Sequence, residues 1–201
     1  MTIDYQRKIE VYIRQEARPI DKYSHQVRLY RLACQIGAGL DYDDEILHAA
    51  VWLHDLGVFI GHRPEDIEQL RRWDNIAYAA QKVPMLLEEW GFPSAKIAGV
   101  VDAIRNHLPS GKPNNIEGII LRDADMLEQL GAVGILRTVS KVGRDTRYHT
   151  FGDAIATLES QLHKLPTQLQ LAKARELAQP RIAALQSFLA AASAESDGIA
   201  W

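Results

Sequence analysis

Residues 48–57 read HAAVWLHDLG, an apolar run from Ala49 to Leu53 that ends in His54 and Asp55 side by side and is then stopped by Gly57. A helix that is apolar on every side is one that a core surrounds. An imidazole and a carboxylate at its buried end are costly unless they are partnered. Either the two pair with each other or they hold something. A divalent metal is the economical explanation, because neutral imidazole nitrogen and ionised carboxylate oxygen are both good ligands and the ion offsets their burial. Further ligands must then come from elsewhere in the chain.

On the near side of this run, Asp43 or Asp44 is placed to start the helix, and Leu47, Val51 and His54 continue one apolar line along it. His48 precedes His54 by six residues, about 240° around a helix at ~100° per residue, so it is read as structural. Upstream, residues 3–18 fit an amphipathic helix ending before Pro19, and Asp21 is an N-cap candidate for a second helix running to about Gly37. On that helix His25, Leu29, Leu32 and Ile36 fall at i, i+4, i+7 and i+11, so His25 lies on the inward stripe with Arg28 on the same side.

Downstream of Gly57 a polar stretch with Gly61, His62, Arg63 and Pro64 reads as a loop over the site, where His62 and Arg63 could touch a ligand, a solvated loop histidine being the plainer reading of His62. A helix is expected from Trp73 to Trp90, with Pro84 placed to kink or interrupt it. Ser94 is the cap candidate for the next helix, whose Ile97, Val100, Val101 and Ile104 lead to His107 on the inward side. His107 divides evenly between core packing and a place near the site. Asn114 or Asn115 caps the following helix, IEGIILRDADMLEQLG, which carries Asp123 and Asp125 in an apolar segment. Periodicity does not choose between these acids: one is read as buried and functional, the other as pairing with Arg122, capping a neighbour or lying near solvent.

After Gly134 a short helix leads into KVGRDTRYHTFGD, where Lys141, Arg144, Arg147 and His149 form a basic loop. A solvated loop is the plainer reading, although bases near a metal suit an anionic substrate. Residues 151–193 read as two helices separated near Pro166, the second broken at Pro180, assigned to packing or to a homodimer face. Residues 194–201 read as a loose tail.

Composition sets the outer limits. With 201 residues, 47% hydrophobic and 24% charged, the chain reads as one ordinary globular domain with a real core, placed over residues 1–193, and the run of expected helices suggests that it is all-α. A net charge of −3 without a basic block argues against a nucleic-acid polymer as partner. The lone Cys34 excludes an internal disulfide and a cysteine-rich zinc site, which fits a reducing cytoplasm. No stretch approaches the ~20 apolar residues of a membrane span, and residues 1–19 lack the apolar core of a signal peptide.

Taken in order, His25, the adjacent pair His54 and Asp55, and an Asp in the run DAD resemble the H…HD…D signature of the HD-domain metal-dependent phosphohydrolase superfamily. The similarity covers about residues 20–135. The strings from His25 to Arg28, HDLG and DADMLEQLGAVGI resemble one uncharacterised bacterial-type subgroup. The resemblance implies that His25, His54, Asp55 and Asp125 bind the metal, and it is what selects Asp125 over Asp123. It also implies an all-helical bundle with the metal site in its interior.

Such a site would hold one divalent ion (Mn, Mg, Co, Ni or Fe) with open positions for water and a phosphate oxygen. Asp55 and Arg28 are the catalytic candidates, and Arg28, His107 and Arg144 the candidates for holding substrate. The expected activity is hydrolysis of a nucleotide or similar small phosphorylated metabolite, with cleavage of a nucleoside triphosphate to monophosphate and pyrophosphate as a specific form. The alternatives are a non-catalytic helical module that binds a nucleotide or protein, and a two-iron oxygenase of the same fold.

Overall fold

The computed structural model describes residues 4–145 and 147–197. Ten α-helices and no strand are present among them. By their contacts the residues divide into two units, 1–122 and 123–201, and the division falls within one continuous helix.

The first unit contains α1 (Asp4–Glu16), α2 (Asp21–Gly37), α3 (Asp44–Leu53), a single 3-10 turn (Leu56–Val58), the short α4 (Ile67–Arg71), α5 (Asn75–Glu89), α6 (Ser94–Asn106) and the first half of α7 (Ile116–Glu128). Helix α3 is its centre and packs against α1, α2 and α6. Every residue from Leu47 to His54 is buried, as an all-round apolar helix requires. Around it each neighbour turns one stripe inward: Tyr5, Ile9 and Ile13 of α1, His25, Leu29, Leu32 and Ile36 of α2, and Ile97, Val100 and Ile104 of α6.

Asp43 caps α3, its Oδ1 accepting the backbone N–H groups of Glu45 and Ile46. Two other caps differ from expectation. Asp21 and Ser94 are the first residues inside α2 and α6, behind Ile20 and Pro93, and neither helix has a side-chain cap. At α2 the cause is that Ile20 is already αR, with Lys22 N–H donating to the Pro19 carbonyl at 2.9 Å, so the turn begins too early for Asp21 to stand outside it.

The second unit contains the rest of α7, then α8 (Gly131–Val139), α9 (Phe151–Gln168) and α10 (Ala172–Glu195), the last three packed on one another. Thr150 and Asp153 form a reciprocal capping box at the start of α9. The expected interruptions at Pro84, Pro166 and Pro180 do not occur, since each proline lies inside a continuous helix. None of the three is buried, and packing of the flanking turns outweighs the one backbone bond a proline removes. The break between α9 and α10 falls instead at residues 169–171. Helix α10 continues to Glu195; residues 198–201 of the expected tail lie outside the described residues.

Candidate metal centre

Helix α3 ends at Leu53, and His54 is its C-cap. Gly57 does not end the helix by a left-handed turn. Its role is close approach: a Cβ there would lie 2.3 Å from the Asn75 carbonyl oxygen and 2.7 Å from the Asn75 Cα. The start of α5 is therefore laid directly on the turn that follows Asp55, and Trp73 Nε1–H donates to the Gly57 carbonyl at 2.7 Å.

At the end of α3 the polar side chains converge. The His54 Nδ1–H donates to the Val51 carbonyl at 2.8 Å. A carbonyl can only accept, so this bond fixes the tautomer and directs the Nε2 lone pair away from α3. His107, the C-cap of α6, repeats the device with Nδ1–H to the Ile104 carbonyl at 2.7 Å. Its ring stands edge-on to that of His54, centroids 4.9 Å apart, and the His25 ring meets His54 at 5.7 Å. All three imidazoles are buried.

Asp55 lies beside them. Its Oδ1 is 3.6 Å from His54 Nε2, and its Oδ2 is 3.8 Å from both His25 Nε2 and Lys22 Nζ. These separations exceed hydrogen-bond length, so the pair HD is not held together by a bond between its own members. Burial alone would raise the Asp55 pKa, but His54, Lys22, His25 and His107 together hold it far below the usual carboxylate range, and the group is an anion.

One group of side chains among the described residues could hold a metal ion. His25, His54 and Asp125, all buried, each offer one ligand atom, and the three atoms lie within 4.8 Å of one another. Two donors bound to one ion at roughly 2.0–2.4 Å each can be no further apart than about 4–5 Å, so the donor set fits a divalent cation. Asp55 is not one of these three, although its oxygens reach both imidazoles.

The two acids of α7 have different surroundings. Asp125 Oδ2 accepts from the Gln129 side chain at 3.2 Å. Asp123, fully buried, accepts the backbone N–H of Gln170 at 3.0 Å and of Leu171 at 2.8 Å, and so caps the start of α10. Asp123→Ala is expected to remove both of these part-buried bonds and to lower stability by about 1–3 kcal/mol. Chemical denaturation checks this, and the fraction that remains folded should bind metal as the parent does.

The other residues singled out in the sequence are placed as follows. His48 is structural, its Nε2 3.1 Å from Glu10 Oε1 and its ring against Tyr30 and Trp52. His62 is not a solvated loop histidine: its side chain is 8% exposed, with Nδ1 2.9 Å from the Tyr78 hydroxyl and Nε2 3.1 Å from Glu16 Oε2. Arg28 Nη1–H donates to Ser24 Oγ at 3.1 Å one turn back on α2. In the second unit Arg144 is exposed, while Arg147 grips Asp145 through two N–H donors, at 3.0 and 2.7 Å, and holds its carboxyl down at about 2. Lys22 is a residue of this cluster that the sequence did not single out. It precedes His25 by three residues, and that spacing alone puts it on the same side of α2.

The sequence model of the HD domain matches residues 23–130, more than half of the chain, a segment that contains His25, His54, Asp55, His107 and Asp125. This chain belongs to the HD-domain family. Among curated proteins no relative matches it, but solved bacterial structures do. YpgQ of Bacillus subtilis, determined in complex with ADP, is 24% identical with a TM-score of 0.76, covering 97% of this chain and 96% of that one. A predicted HD-superfamily hydrolase from an uncultured Thermotogales bacterium is 25% identical, TM-score 0.64, covering 94% and 91%. An HD-superfamily hydrolase of Bacillus thuringiensis is 20% identical, TM-score 0.71, covering 96% and 97%. The HD fold therefore extends through nearly the whole chain, beyond the matched segment. Among the described residues no helix is long and apolar enough to cross a membrane.

Proposed function

We propose that this HD-domain protein is a metal-dependent phosphohydrolase acting on a nucleotide or other small phosphorylated metabolite, with a divalent ion held by His25, His54, Asp55 and Asp125. The observation that carries this reading is the meeting of ligand atoms from the buried His25, His54 and Asp125, with Asp55 oxygens 3.6 Å from His54 Nε2 and 3.8 Å from His25 Nε2. A helical module that bound its partner by shape alone would gain nothing from burying such a donor set. Similarity to bacterial proteins described as HD-superfamily hydrolases supports the same class.

When bound, the metal would lower the pKa of its water and offset the charge that builds on the phosphoryl oxygens. The protein's own groups do the rest. The Val51 carbonyl keeps His54 in the tautomer whose Nε2 can ligate, and the Ile104 carbonyl fixes the His107 ring beside it in the same way. Asp55, anionic, accepts a hydrogen bond from the attacking water and orients it. Arg28 supplies charge to the phosphate. One water adds across the P–O bond, its oxygen to phosphorus and a proton to the leaving oxygen.

The test is a phosphate- and pyrophosphate-release screen over nucleotides and sugar phosphates with Mn, Co, Ni or Mg added. Adenine nucleotides belong in it because YpgQ was solved with ADP, and nucleoside triphosphates because cleavage to monophosphate and pyrophosphate is the sharpest form of the proposal. Metal-dependent release from at least one compound is expected. Metal bound without any hydrolysis would point to the binding module instead, and two irons in a coloured, oxygen-sensitive protein to the oxygenase.

A further inference from the structure

The amino group of Lys22 is 3.8 Å from Asp55 Oδ2, at the start of α2 and one turn before His25. At that distance the pair is an electrostatic contact and not a hydrogen bond. The lysine side chain is 29% exposed and the aspartate 16%, in contrast to His25 and His54 at 3% and 1%. Solvent therefore reaches this cluster past Lys22 and Asp55, while the imidazoles form its floor.

A cation in that position works against a dication bound by the same carboxylate, since like charges a few ångströms apart repel. Its presence is explained if the ligand entering from solvent is an anion large enough to touch both the ion and the lysine. Lysine has the right chemistry for such a contact. Its ammonium is a point charge with three donors on a flexible stem, able to leave a loose ion pair for a phosphate oxygen. Arg28, by comparison, directs one guanidinium N–H at Ser24, toward the preceding turn of the helix.

We infer that Lys22 is a substrate-binding residue that holds a phosphoryl oxygen of the ligand at the entrance to the metal centre. The inference rests on the phosphohydrolase reading for the identity of the ligand, and its test separates the two. The full chain, its Lys22→Gln variant and its Lys22→Arg variant are titrated with inorganic phosphate by calorimetry, metal-free and Mg-loaded. Their Mn(II) affinities are measured by the paramagnetic resonance of the free ion, and thermal melting confirms that each is folded.

Lys22→Gln is expected to weaken phosphate binding at least 10-fold, with Lys22→Arg recovering most of the loss. Mn(II) affinity should be unchanged or somewhat tighter in the glutamine variant, because a repelling charge is gone. Phosphate affinity equal to the parent's in Lys22→Gln would overturn the inference. A fall in phosphate binding that merely follows a fall in Mn(II) binding would also overturn it, showing Lys22 to serve Asp55 alone. A parent that binds no metal yet binds phosphate in a Lys22-dependent way would sink the metal reading and leave this one standing. Binding of neither would sink both.

Discussion

Asp125→Ala is expected to stay folded and to lose metal binding together with at least ~10²–10³ of any hydrolytic rate, the scale set by removing one electrostatic stabiliser from an active site. The side chain is buried, and it accepts a hydrogen bond from Gln129, itself half-buried and engaged with Gln161. Loss of that charge-assisted bond costs about 1.5–3 kcal/mol. A carboxylate oxygen among two imidazole nitrogens is harder to replace, because it carries the charge of the group. Mn(II) titration and a melting curve on the same sample check both halves. A folded Asp125→Ala protein with the parent's metal affinity and rate would remove this acid from the site. The neighbouring Asp123→Ala should behave in the opposite way, costing stability through the start of α10 and sparing metal affinity in the molecules that remain folded.

The second large effect is at Gly57. Gly57→Ala places a methyl group 2.3 Å from the Asn75 carbonyl oxygen, a backbone atom at the start of α5 that cannot swing aside as a side chain would. Either α5 moves or the turn after Asp55 moves, and the Trp73 to Gly57 hydrogen bond is strained in both cases. Overpacking of this kind costs about 3 kcal/mol, which for a chain of this size lowers Tm by roughly 6–12 °C. Because Asp55 lies two residues away, Mn(II) affinity should fall as well. Gly99→Ala is the matched control: the new methyl would meet the Cδ1 tip of Ile46 at 2.9 Å, a flexible end that can turn away, and Tm should change by no more than a few degrees. Equal melting of the two variants would show that the close approach at Gly57 is not tight.

The helices, and which side of each is buried, were already legible in the order of the residues. His25, Leu29, Leu32 and Ile36 lie inward as their spacing demands, and α3 is buried all round because it has no polar side. The inward place of His25 and His54 follows from the same spacing, whereas the choice of Asp125 over Asp123 came from the family resemblance and not from periodicity. Helix and inward face are local properties, set by the 3.6-residue repeat and by side-chain chemistry within one or two turns.

What each of these groups meets was settled by packing in three dimensions. Asp123 caps a helix that starts nearly fifty residues later, His62 is enclosed by Glu16 and Tyr78, and Gly57 is required by the backbone of Asn75. Lys22 faces an aspartate more than thirty residues away. No period along one helix records a neighbour of that kind, because it exists only once separate helices have packed and one buried polar group has found another. The same physics explains the prolines: a local rule predicts a break at Pro166 and Pro180, but the long-range packing of α9 and α10 outweighs a single missing backbone bond.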